Sequence, residues 1–168
     1  MPDALKTAHG LSLKAPGSRP FTLVLALFLL ISLVPALPAH AMERAQTVGS
    51  IKTVTGEAFV DRQSERLLAK AGDYILEGDT LITGKNSSLG VIFRDDTMLS
   101  LGSNSQVRID RFVFDPAKDN LDFLARVNKG TAQFISGQIA KLAPDSMAVQ
   151  TPLSTIGIRG TRFLIKVD

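Results

Sequence analysis

Cysteine does not occur among the 168 residues, which excludes disulfide staples, thiolate metal sites and a cysteine nucleophile together. Tryptophan is absent too, and tyrosine occurs once, at Tyr74. Charge of either sign is in short supply: 19 Lys plus Arg face 16 Asp plus Glu, a formal net of +3. Both histidines, His9 and His40, lie near the N-terminus. What remains is 45% hydrophobic and 21% charged, a composition that buries a core rather than staying disordered. At about 100–200 residues per domain, the chain has room for one domain and a tail.

The tail reads as an address. Residues 1–20 are polar, with Lys6, Lys14 and Arg19 against Asp3. An apolar run follows over 21–34, interrupted by Thr22 and Ser32, then Pro35, Pro38 and the small-x-small triplet Ala39-His40-Ala41. Basic leader, short apolar segment, helix breakers and a small-residue site make a secretory signal peptide over 1–41, cleaved after Ala41. The alternative is an uncleaved anchor, although the run is shorter than the ~20 residues of a spanning helix. Either way the expected location is exported and periplasmic, as a free domain or held at the inner membrane facing the periplasm.

Cleavage would change the inventory. Lys6, Lys14, Arg19 and Asp3 leave, so the net of residues 42–168 falls to +1. Both histidines leave as well. Ser-His-Asp and Cys-His triads and imidazole or thiolate zinc sites are then excluded. Without a basic face, counterion-driven nucleic-acid binding has no footing, and no cofactor is expected.

Residues 48–167 alternate short apolar runs with turn residues, which predicts an all-β domain. Its strands would be wound as a β-solenoid-like coil or packed as two sheets. Strands are expected over 48–55, 57–61, 80–83, 89–93, 98–101, 106–110, 121–127, 131–135, 147–151 and 162–167. Arg62-Gln63-Ser64-Glu65-Arg66 reads as a solvated loop. Val107 and Ile109 fall on odd positions but Phe112 and Phe114 on even ones. That predicts a bulge near Asp110-Arg111 or a strand buried on both faces. Asn128-Lys129-Gly130 reads as a hairpin turn before a returning strand. Ser136–Ala143 could hold a short helical turn. Gly72, Gly78, Gly84 and Gly90 recur every six residues, and Gly72-Asp73 repeats as Gly78-Asp79. Ser87 breaks the accompanying apolar period, so these glycines are expected at turns of positive φ rather than in a hexapeptide coil.

The phrase Ala71-Gly72-Asp73-Tyr74-Ile75-Leu76-Glu77-Gly78-Asp79-Thr80-Leu81-Ile82-Thr83-Gly84 resembles the paired Gly-Asp signature of the FecR domain family. The opening from Gly49 to Val60 and the hairpin from Leu89 to Leu101 are similar to it as well. So is the close, Val149-Gln150-Thr151-Pro152-Leu153-Ser154-Thr155-Ile156-Gly157-Ile158-Arg159-Gly160-Thr161-Arg162-Phe163. The resemblance covers about residues 48–167. It departs in three places. Twenty polar residues before the apolar run are too few for the anti-sigma region of the iron-uptake regulators. A transporter-contacting domain is not seen before Asp168. The usual Asp-Gly-Thr turn reads Asp95-Asp96-Thr97, so Asp96 must take the left-handed backbone there. The resemblance therefore implies an exported, non-catalytic β module and neither sigma-factor control nor iron-citrate sensing.

On that resemblance, Gly72, Asp73, Gly78, Asp79, Gly84, Asp95, Asp96, Thr97, Thr151, Pro152, Gly157, Arg159, Gly160 and Thr161 take turn and signature roles, none catalytic. Arg159 could fork onto a carboxylate or phosphate ligand, or tie the last strand to an earlier carboxylate such as Asp79 or Asp95, or to loop carbonyls. The tie is the expectation, with Arg159→Ala lowering stability. Asp73, Asp79, Asp95 and Asp96 could gather calcium, but they lack calcium-loop spacing and suit turns. Paired carboxylates could hydrolyse a glycan, but the seven phenylalanines of residues 42–168 look like core rather than a sugar platform. The expected function is a binding or scaffolding module for a protein or cell-envelope polymer, with a free β-edge as one means of contact. The alternative is a membrane-tethered signalling component.

Overall fold

The structure, a computed structural model, describes residues 47–159 and 162–168. The expected signal peptide and the signature pair Gly160-Thr161 lie outside the described residues.

Twelve strands carry the fold: β1 Thr47–Thr55, β2 Ala58–Arg62, β3 Glu65–Leu68, β4 Tyr74–Leu76, β5 Thr80–Thr83, β6 Ser88–Phe93, β7 Met98–Leu101, β8 Gln106–Asp115, β9 Asn120–Ile135, β10 Met147–Gln150, β11 Thr155–Gly157 and β12 Arg162–Val167. Among the described residues there is a single short α-helix, α1 (Gln138–Leu142), within the expected helical turn. Pro116 and Pro144 each open a 3-10 turn, where a missing N–H costs nothing.

The strands form one sheet that curls back on itself. One half runs β3-β2-β5-β8-β9-β10-β11 and the other β4-β1-β6-β7-β9-β12. Every pair is antiparallel except β10 on β9. A solenoid would stack parallel coils, so the packed-sheet alternative is the one the chain adopts. β9 belongs to both halves: residues up to Lys129 pair with β8, and residues from Gly130 pair with β7 and β12. This corrects the hairpin expected at Asn128-Lys129-Gly130. Gly130 has φ +81°, and a Cβ there would collide with Ser105. Positive φ at a single residue bends the strand onto the second half; β7 and β8 pair with it on either side of the bend.

Alternation sets the core. Side chains of the two halves meet through Phe93 on β6, which packs on Phe112 at 5.6 Å and edge-on against Phe123 at 5.1 Å. Phe134 bridges Phe123 and Phe163, at 6.4 and 5.0 Å between ring centres. Each fully buried ring contributes about 1.5–3 kcal/mol, so this chain of phenylalanines is a principal tie between the halves. The bulge is present. Ile109 pairs with Ala125 and Arg111 with Leu124, leaving Asp110 as the extra residue. Phe112 is thereby returned to the buried face shared by Val107 and Ile109.

Two further expectations need correction. Gly72 and Gly78 have positive φ, but Gly84 and Gly90 do not. Gly90 sits inside β6 opposite Thr53, whose hydroxyl occupies the space a Cβ would need. Arg62–Arg66 is not a loop but the tip of the β2–β3 hairpin. Gln63 and Ser64, at φ 46° and 73°, turn it in two residues.

Candidate functional site

The repeated Gly-Asp phrase is a repeated turn. In Lys70-Ala71-Gly72-Asp73 the Asp73 N–H donates to the Lys70 carbonyl (3.1 Å), and the Asp73 carboxylate accepts the Lys70 N–H (2.8 Å). Leu76-Glu77-Gly78-Asp79 repeats this, at 3.3 and 2.8 Å. The third residue of each turn has φ near +90°, which glycine adopts without a Cβ penalty. Asp79 does more. It is buried and takes the Arg62 guanidinium in a fork, Nε to Oδ1 at 2.9 Å and Nη2 to Oδ2 at 2.8 Å. The same Nη2 donates to the Tyr74 carbonyl. The turn is also pinned to β8, by Gly78 N–H to Ile109 carbonyl and Ile109 N–H to Asp79 carbonyl. These contacts draw the two ends of the curled sheet together beside β3 and β4.

The Asp95-Asp96-Thr97 turn joins β6 to β7 and holds α1. Asp96 takes the expected left-handed backbone, φ 66°. Asp95 is fully buried; its carboxylate accepts the Thr97 N–H (3.0 Å), the Thr97 hydroxyl (2.7 Å) and the Ile139 N–H (3.3 Å). Its carbonyl accepts the Gln138 N–H, and the Thr97 hydroxyl accepts the Gly137 N–H. Gly137, which sequence reasoning passed over, lies so close that a Cβ would overlap the backbone of Asp95, Asp96 and Thr97. Its only signal in the sequence is a glycine near the start of the expected helical turn. Thr83 and Ser105 act alike: the Ser105 N–H donates to the Thr83 hydroxyl, and the Ser105 hydroxyl accepts the Thr131 N–H at the β9 bend. The signature aspartates and hydroxyls are thus occupied in turns. Among the described residues no group of three Asp, Glu, His or Cys stands close enough to hold a metal ion, and Asp73, Asp79 and Asp95 serve separate turns.

The closing phrase lies differently. Thr151 makes a local turn in which its hydroxyl accepts the Ser154 N–H at 3.1 Å, with Pro152 exposed inside it. Gly157 ends β11 in open space. Arg159 reaches Asp145 at 2.6 Å, not Asp79 or Asp95, and both side chains are largely solvent-exposed. The carboxylate that Arg159 meets is an earlier one in the chain, as expected, but neither of the two aspartates named for it, which Arg62 and backbone N–H groups already occupy.

Beyond this phrase the curled sheet stays open. Among the described residues β11 pairs only with β10, and β12 only with β9, so within them each half ends there in a free strand edge. Leu153 is 97% exposed, Leu164 65% and Ile156 38%. Adjoining hollows of about 310 and 670 Å³ share Ile156, Leu164 and Ile165 as lining. This is a seam of apolar side chains between two edges that no described residue pairs.

The sequence profile described as FecR protein matches residues 79–168, from the second Gly-Asp turn to the far side of the seam. The chain belongs to the FecR family. That family is a signalling-related one. No curated protein and no solved structure matches the chain. In this FecR domain no helix among the described residues is long and apolar enough to cross a membrane. A third hollow, of about 710 Å³, lies by the Asp79 turn. Its charged lining is committed internally: Arg62 to Asp79, Glu77 to the Phe112 N–H at 2.9 Å, and Arg108 to Asp110 at 3.0 Å. Arg94 lines it as well, and its guanidinium donates to the Thr47 carbonyl at 3.4 Å.

Proposed function

We propose that this FecR domain is an exported, non-catalytic binding module that takes an extended protein segment at the seam between β11 and β12. The observation that carries the reading is the pair of unpaired edges flanked by exposed Leu153, Ile156 and Leu164. Backbone groups at a strand edge offer affinity through main-chain pairing, and apolar side chains beside them supply the desolvated contact. The rest of the molecule supports binding over turnover. Its buried carboxylates and hydroxyls are bonded within turns, and residues 42–168 contain no histidine or cysteine to act as base or nucleophile. Export rests on the leader over residues 1–41 and places the partner in the periplasm.

The test is a photo-crosslinking amino acid placed at Leu164, or at exposed Leu68 on β3 as control, in the full chain made in cells. A discrete protein adduct from Leu164, abolished by adding Ile156→Asp and absent from Leu68, is the expected result. Equal adducts from both positions, or adducts only with envelope polysaccharide, would overturn the choice of a protein segment at the seam. N-terminal sequencing of the same material checks export: a start at Met42 means a released domain, a start at Met1 the tethered alternative.

A further inference from the structure

β12 is not a neutral edge. Phe163, Ile165 and Val167 point to the core, while Arg162, Leu164 and Lys166 stand on the solvent face. Among the described residues Arg162 has no carboxylate partner. Lys166 meets only Asp168, two residues on, at 2.9 Å, with both side chains at least 70% exposed. A pair that open exchanges readily with water and with competing anions. Arg159 is engaged by Asp145, so it adds positive charge beside the seam that is already balanced. The outer face of the edge therefore reads cation, leucine, cation.

A second copy of the chain fits this edge badly. Antiparallel pairing of two β12 strands about Leu164 sets Arg162 of each copy opposite Lys166 of the other, and like charges directly across a strand pair repel. An acidic strand has the opposite relation at the same two positions.

Resting on the seam reading above, we infer that the segment received by β12 is an acidic strand of another protein. It has two carboxylates four positions apart on its solvent face, an apolar residue midway between them, and apolar residues on its inward face. The midway residue packs beside Leu164, the carboxylates lie across from Arg162 and Lys166, and the inward residues cover Ile165 and Val167. The same charges guard the edge against self-association, so one pair of residues both repels a copy and selects a partner.

The probe is a labelled peptide of about nine residues, a length typical of a strand, rich in valine and isoleucine with glutamates at the two outward positions. A twin has lysines there. Each is titrated into the full chain as purified from cells, with anisotropy as the readout. The glutamate peptide is expected to bind at least about tenfold more tightly than its twin at low salt, with the gap narrowing as salt rises. The double variant R162E/K166E should invert the order. Equal binding of both peptides would overturn the charge inference and leave the seam standing. Binding of neither would overturn both, and concentration-dependent dimerisation of the chain through β12 would make a second copy the occupant instead.

Discussion

Asp95 is where the signature carries most weight, and its removal gives the sharpest number. Asp95→Ala strips the acceptor from three donors: the Thr97 N–H, the Thr97 hydroxyl and the Ile139 N–H. The hydroxyl can rotate toward another acceptor. The two N–H groups are fixed by the backbone in a site from which Asp95 excludes water, its own exposure being 0%. Each stranded donor costs about 1–3 kcal/mol, so the variant should lose about 4 kcal/mol. That is a large share of the 5–15 kcal/mol typical of a domain. At about 4 °C per kcal/mol for a domain of this size, Tm should fall by about 15 °C. Asp95→Asn keeps one carbonyl oxygen but turns an amide nitrogen toward a donor, and should lose about half as much. Urea unfolding with an unchanged slope would show that the native state, not the unfolded one, is affected. A Tm within about 2 °C of the parent for Asp95→Ala would refute the reasoning, because it corresponds to less than the cost of one stranded donor.

Gly137→Ala should cost about 3 kcal/mol, since its Cβ meets fixed backbone at the Asp95 turn; a calorimetric melt near the parent would contradict that close approach. Arg159→Ala should change stability by no more than about 1 kcal/mol, because its pair with Asp145 is exposed on both sides; a large loss by urea titration would restore the structural tie. The hydrogen bond from Arg66 holds the Asp61 carboxyl below its ordinary range. A lowered folded pKa adds stability above the unfolded value of about 3.9, and that stability is lost as pH falls through the lowered one. Arg66→Ala should therefore melt slightly earlier than the parent at neutral pH and alongside it near about pH 2; a gap that persists in acid would count against the pair.

Much of the fold was readable because side-chain period and glycine chemistry are local. The slip from Ile109 to Phe112 pointed to a bulge near Asp110-Arg111 or a strand buried on both faces, and only the pairing with β9 decides for the extra residue at Asp110. Asp96 could be placed in left-handed backbone because the resemblance sets it where the family's turn carries glycine. Where residues act through distant partners, the reading failed. Asn128-Lys129-Gly130 has the composition of a hairpin turn, yet the pairing of β7 and β8 along β9 makes it a bend. β3, β4 and β11 are short and carry too few buried residues to show a period, so they were not foreseen. Gly84 and Gly90 shared the spacing of Gly72 and Gly78 without sharing their backbone, because Gly90 makes room for a hydroxyl across the sheet. The buried fork between Arg62 and Asp79 joins residues seventeen positions apart and leaves no local trace. At the seam, the closing phrase was legible as a motif, but its exposure depends on two edges that meet only in three dimensions.

That a single strand runs through both halves of the sheet has a consequence for how the chain comes to be folded. Eight strands leave the ribosome before β9 begins, and neither half can be completed until that strand arrives to join β8 on one side and β7 on the other. Joining of the two halves is thereby deferred to the last third of synthesis, and a distant pairing such as β7 with β9 forms slowly. Until that strand is made the two sets of strands have no shared backbone partner, so a chain cut short of it should lack the native core.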